Sequence, residues 1–285
     1  MTAVWDKGSA SGSIDEEYLL ARASVGSGRL SGCRLSTTEF ENAPAKDLAE
    51  INESEAEKWL DPYSIQNRCI FASYFAVGIG LFFIQTPIAF YMVDTLSASP
   101  AQQSVITGLM SLPWALKILC GFLSDSMPIM GLRRKPYFVI GWGIWILCNS
   151  FLAFLGEPDV VMLSAFLFLQ TLGFVQADVC TDAMIVERSK LYEHAGNQGT
   201  LQATGYIIRF FGSIIGATLG AILYNKESFG WGCPIWGIFI INASIPLLFV
   251  FPFFSSLVEV ELEQPPKLMA QIESIWELVQ QKAVW

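Results

Sequence analysis

Charge is scarce in this sequence. Only 15% of its 285 residues are Asp, Glu, Lys or Arg, while 53% are hydrophobic, and a surface facing water calls for more charge than that. Histidine occurs once, at His194, and the six cysteines show no paired metal-type spacing. Neither a metal centre nor any other cofactor is therefore expected, and the cysteines read as small apolar fillers. Glycine loops of the Walker type are missing, so nothing suggests direct drive by ATP. A net charge of −9 without a basic stripe gives nucleic acid no electrostatic footing. The start of the chain has no apolar core of secretory type, so no signal peptide is expected, and its acids disfavour an organellar transit peptide.

Long apolar runs are abundant, and mean hydropathy is +0.45. Six stretches approach the roughly 20 mostly apolar residues that cross a bilayer: about Cys69 to Met92, Ser104 to Ser124, Tyr137 to Gly156, Val160 to Val186, Thr200 to Tyr224 and Cys233 to Phe254. A soluble core helix accounts for any one of them but not for six in succession. Aromatic rings crowd the ends, as in FGWGCPIW and PFF, where amphipathic side chains suit the headgroup zone. The expected fold class is an all-α membrane protein with six transmembrane helices in contact with the lipid bilayer.

Three regions are expected. Residues 1–65 form an acidic, disordered tail, because a Ser-, Gly- and Glu-rich stretch without sustained apolar period cannot offset the entropy of ordering. Residues 66–255 form the six-helix bundle, and residues 256–285 are polar with a short amphipathic end. Arg133, Arg134 and Lys135 lie between the second and third spans, and Arg188 and Lys190 between the fourth and fifth, whereas the alternate loops hold no cation but Lys226. The positive-inside rule then places those two loops and the N-terminal tail in the cytoplasm, without distinguishing a plasma from an organellar membrane.

Few ionisable groups enter the apolar stretches, and each costs at least a few kcal/mol at mid-bilayer unless it meets water or a partner. They are Lys117, Asp178, Asp182 and Arg209, with Asp125 and Glu187 near span ends. At about 1.5 Å of rise per residue, Lys117, Asp178 and Arg209 each lie roughly 12 to 14 Å from the cytoplasmic boundary, near the midplane. Two arrangements satisfy this convergence: buried ion pairs that lock helices together, or a polar cavity of the kind that holds a transporter's substrate. Asp178 and Asp182 share a helical stripe, with Gln170 and Thr171 about two turns earlier, and Gln202 and Arg209 are nearly eclipsed. Gly212, Gly216 and Gly220 repeat a small-xxx-small spacing that lets membrane helices approach closely. Pro113 predicts a bend in the second span one turn before Lys117. Paired carboxylates one turn apart on one helix cannot face each other as an intramembrane aspartyl protease requires, so an enzyme is not expected.

The run GFLSD followed by GLRRK resembles the loop signature of the major facilitator superfamily. In its longer form, PWALKILCGFLSDSMPIMGLRRKPY, together with DTLSASPAQ and DVCTDAMIVERSK, it is similar to the folate-biopterin transporter family. The likeness covers roughly residues 80–210. It implies the N-terminal half of a twelve-helix fold: a secondary transporter and symporter moving folates or pterins by alternating access. Lys117 and Arg209 would then contact an anionic substrate, with Gln202 and Asp182 beside them, and Asp178 would bind the amino-pyrimidine edge of a pterin or carry a coupling proton. The resemblance also implies a gate built from Gly121, Asp125, Gly131, Arg133, Arg134, Lys135, Glu187 and Arg188. Asp125 is expected to cap helix N-termini, and the three cations to reach Asp125 and Glu187 or Asp182. Residues 256–285 would be a cytoplasmic central loop, cut short before a second six-helix half or requiring a partner half. The alternative is a non-transporting half-protein, or a fragment, acting as a scaffold or partner subunit.

Overall fold

The structure, a computed structural model, describes residues 60–61, 64–193, 199–225, 231–257, 259 and 280. The acidic tail and nearly all of residues 256–285 therefore lie outside the described residues. Among the described residues, seven α-helices carry the bundle: α1 (Ile65–Phe90), α2 (Pro100–Ala115), α3 (Lys117–Ser126), α4 (Lys135–Leu155), α5 (Val160–Tyr192), α6 (Thr200–Leu223) and α7 (Ile235–Phe249). A π-helical turn, Tyr91–Thr95, prolongs α1, and a 3-10 turn, Phe251–Ser256, prolongs α7. α2 and α3 are two parts of one span, so six segments are long and apolar enough to cross a membrane. Those are the six stretches expected, with ends that differ by at most four residues because hydropathy registers lipid contact and not backbone hydrogen bonding.

Local chemistry sets several helix ends. Ser99 and Gln102 form a reciprocal capping box at the start of α2, with Pro100 at the first helical position, where its missing N–H does no harm. Most of the motif SPAQ is thereby explained as a helix start. Asp159 accepts from the Met162 amide at 2.9 Å and opens α5. Beyond the other end of α5, the Glu193 carboxylate accepts from Ser189 Oγ and the Gly199 amide at 2.5 Å each and from the Leu201 amide at 2.6 Å, so it caps α6.

Packing within the bundle depends on missing side chains. On α6, a Cβ added at Gly216 would stand 2.4 Å from the Ile79 carbonyl oxygen, and one at Gly220 would stand 2.1 Å from that of Phe83. The expected glycine stripe is thus the face on which α6 lies against α1, backbone to backbone. Gly141 and Gly173 do the same for α4 and α5, each within 2.7 Å of the other's carbonyl oxygen once given a Cβ. Polar groups join α4 to α7: Asn242 donates to Asn149 Oδ1 at 2.9 Å, and Trp145 Nε1 donates to the Asn242 carbonyl at 3.0 Å. The outer surface is apolar, with Phe154 85% and Ile118 82% exposed, as lipid contact requires.

Two measurements check this packing. Gly220→Ala is expected to lower the melting temperature of the detergent-solubilised protein by the equivalent of about 1–3 kcal/mol, as overpacking does. Gly143→Ala, where an added Cβ meets nothing within 4 Å, is expected to leave it unchanged. Glu193 supplies a pH dependence. Burial pushes its pKa up, but the Ser189, Leu201 and Gly199 donors favour the ionised form and hold it below the ordinary 4.5. Because the folded value is depressed, its contribution is present above pH 4.5 and is lost as pH falls through the folded value. Glu193→Ala is therefore expected to cost about 0.5–2 kcal/mol at neutral pH, with the gap from wild type closing as the pH of the melt falls below 4.5.

Candidate functional site

The second span breaks where its charge begins. Pro113 has no N–H to bond the preceding turn, and Leu116 leaves the helical region at φ −84° and ψ 0°, its amide closing a tight turn onto the Pro113 carbonyl at 3.0 Å. α3 restarts at Lys117. The break falls where the proline's position predicted a bend, and the Lys117 side chain just beyond it reaches α5.

Four charges from three helices meet there. Lys117 Nζ lies 2.9 Å from Asp178 Oδ2 and 2.7 Å from Asp182 Oδ2. Arg209 Nη1 lies 2.9 Å from Asp178 Oδ1. Tyr74 on α1 donates its hydroxyl to Asp182 Oδ1 at 2.6 Å. Asp178 is fully buried, whereas Lys117 keeps 35% and Asp182 17% of the side chain exposed, so the cluster opens along the α3 side. Two carboxylates and two cations sum to zero, which makes the group tolerable in a low dielectric where a lone charge is not. Trp114 stands beside both cations, its ring centroid 5.7 Å from Lys117 Nζ and 5.7 Å from the Arg209 guanidinium, within range of a cation–π contact.

Other expected site residues stand apart from this group. Gln202 donates to the Tyr206 hydroxyl at 3.4 Å; Tyr206 meets Tyr74 edge-on at 5.9 Å, so Gln202 reaches the cluster only through two rings. Gln170 is buried with its Oε1 lacking a hydrogen-bond partner, and Thr171 bonds back to the Leu167 carbonyl. A cavity of about 330 Å³ lies elsewhere in the bundle, lined by residues that include Tyr91, Glu157, Tyr224 and Trp236.

A second charged group forms around the turn between α3 and α4. Ile129 and Leu132 exchange backbone hydrogen bonds at 2.9 and 3.0 Å across Met130 at φ 55° and Gly131 at φ 78°. Two successive positive φ values make a tight turn that favours glycine at its second position. Arg133 donates to Glu187 at 3.1 Å; Arg134 pairs with Glu187 and, at 3.3 Å, with Asp125, and donates to the Ala183 carbonyl at 3.0 Å. Gly121 brings α3 close to α5, where an added Cβ would meet Val179 at 3.4 Å.

Glu187 is the partner taken of the two acids expected, and three residues named with this group find partners elsewhere. Asp182 pairs with Lys117 and not with the loop cations, because it lies more than a turn deeper than Glu187. Lys135 donates to the Leu257 carbonyl at 2.9 Å and lies over the Phe254 ring at 4.9 Å. Arg188 points toward α1, donating to the Gln66 carbonyl at 2.8 Å and to Asn67 Oδ1, since adjacent helical residues diverge by about 100°.

Sequence reasoning missed Tyr74, Trp114 and Glu259. Trp114 was discoverable, an aromatic ring only three residues before Lys117 in the sequence. Tyr74 is one ring in an apolar run and carries no such signal. Glu259 accepts from the amides of Arg133, Arg134 and Lys135 at 2.9, 2.8 and 2.7 Å. An acid beyond the sixth span therefore caps α4 and clamps the cationic turn. Glu259→Ala is expected to speed amide hydrogen exchange at residues 133–135 about tenfold or more, the size of a lost charge-assisted bond, while the middle of α4 stays protected.

The profile of the BT1 family matches residues 77–285. A folate-biopterin transporter from Synechocystis is 31% identical over 221 residues, covering 75% of this chain and 42% of the relative. A probable folate-biopterin transporter 4 from Arabidopsis thaliana is 33% identical over 151 residues, 52% of this chain and 30% of the relative. Folate transporter 1 from Plasmodium falciparum is 28% identical over 142 residues, 50% of this chain and 27% of the relative. The chain thus spans less than half the length of these curated relatives. No solved structure matches it.

Proposed function

The chain belongs to the BT1 family, and on that premise we propose that it is the membrane-embedded N-terminal half of a secondary transporter for folates or pterins. The observation that carries this reading is the neutral cluster of Lys117, Asp178, Asp182 and Arg209, held deep in the spans with Lys117 partly exposed. A purely structural lock has no need of an open side. A site for an anionic, flat, hydrogen-bonding ligand does: Lys117 and Arg209 offer cations to a carboxylate, Trp114 a face for a ring, and Asp178 an acceptor for an amino-pyrimidine edge.

The six spans form the first half of a major facilitator fold, with the N-terminus and the Arg133–Lys135 turn in the cytoplasm by the positive-inside rule. A second half packs where burial is least: Pro100–Ser126 and Thr200–Leu223 each bury only 17% of their most apolar stretch, against 67% for Ile65–Thr95. The contacts of Arg133 and Arg134 with Asp125 and Glu187 hold one access state closed and part in the other.

Uptake of radiolabelled folic acid by the full-length protein tests the assignment. Lys117→Ala, Asp178→Asn and Arg209→Ala are each expected to reduce initial uptake about tenfold or more, as loss of a charged hydrogen bond does, with normal membrane expression. Wild-type rates for all three would remove the site.

A further inference from the structure

We infer that Asp182, and not Asp178, is the group that takes up a coupling proton, and that its protonation releases Lys117 to hold an anionic group of the substrate; this rests on the transport reading above. In the observed arrangement both cations are already engaged by carboxylates, so an anion enters only if a carboxylate lets go. The two acids differ in what letting go requires. Asp178 is fully buried and gripped on both oxygens, Oδ1 by Arg209 and Oδ2 by Lys117, so neutralising it breaks two ion pairs at once. Asp182 has one cation, Lys117 on Oδ2, and on Oδ1 a neutral donor, the Tyr74 hydroxyl. It is also the more exposed of the pair.

The step balances without further groups. A proton from water binds Oδ2 of Asp182, where Lys117 stood, while Tyr74 keeps donating to Oδ1. Lys117 retains Asp178 and has N–H donors to spare. The cluster then carries one positive charge, which one anionic group of the ligand cancels, so the occupied site is as neutral as the empty one. When the ligand leaves, Lys117 returns and the proton goes to water on the other side. The charged and titratable groups around Asp182 are Lys117 from α3, Tyr74 from α1, Asp178 one turn away on α5, and Arg209 and Tyr206 from α6.

The test is the pH dependence of folic acid binding to the purified full-length protein in nanodiscs, between pH 6 and 7.5. Wild-type affinity is expected to rise as pH falls, approaching tenfold per unit above the midpoint for one linked proton. Asp182→Asn is expected to flatten that dependence and abolish accumulation driven by an inside-alkaline gradient in proteoliposomes. Tyr74→Phe, which removes the neutral donor on Oδ1, is expected to displace the midpoint of this pH dependence from its wild-type position; a residue that only braces the fold would not displace it. Should Asp182→Asn bind too weakly to measure, the Tyr74→Phe midpoint decides. A wild-type slope retained in Asp182→Asn, or an unmoved midpoint in Tyr74→Phe, overturns the assignment and leaves the transport reading intact. If wild type binds neither folic acid nor biopterin at any pH, the transport reading falls and this inference with it.

Discussion

A charged side chain in the middle of a bilayer must find an opposite charge or water, and most of what is distinctive here follows from how Lys117, Asp178, Asp182 and Arg209 meet that demand together. Their balance of two and two means that no one of them can move or titrate without altering another. Helix geometry serves the same end. The break at Leu116 turns Lys117 inward, the glycine face of α6 lets it press against α1, and the bond from Tyr74 to Asp182 ties α1 to α5.

The second charged group, at the turn between α3 and α4, is built differently. Arg133 and Arg134 are shared among Asp125, Glu187 and the Ala183 carbonyl, an arrangement with more partners than any single pair needs. Glu259 adds a constraint from outside the bundle by capping α4 through the backbone of the same turn. The exit of the sixth span and the cationic turn are therefore mechanically joined, through Lys135, Leu257 and Phe254 as well as Glu259.

The six spans were legible because bilayer thickness fixes the length of an apolar run, and the break before Lys117 was legible because proline lacks a donor. Convergence of Lys117, Asp178 and Arg209 followed from counting residues from span ends, since rise per residue is constant, and Asp182 follows Asp178 by one turn on the same stripe. Rotation of each helix was harder to read. In a membrane both the lipid-facing and the interior faces are apolar, so hydrophobic periodicity says little about which way Tyr74 or Gln202 points. That is why Gln202, two turns from Arg209 on one face, proves to be linked to Tyr206, and why Tyr74 went unnoticed. Glu259 lay beyond reach for another reason: its role is a contact more than 120 residues away in sequence, and nothing local distinguishes it from its acidic neighbours.

The central claim is that the mid-span charges are mutually neutralised partners and not independent groups facing water. A double-mutant cycle on Asp178 and Arg209 tests it most directly, because removing both leaves Lys117 and Asp182 as a balanced pair. Thermal unfolding of the protein in nanodiscs would be compared for Asp178→Asn, Arg209→Met and the double variant. The account predicts that each single change lowers the melting temperature and that the double variant recovers most of the loss. Losses that simply add would contradict it.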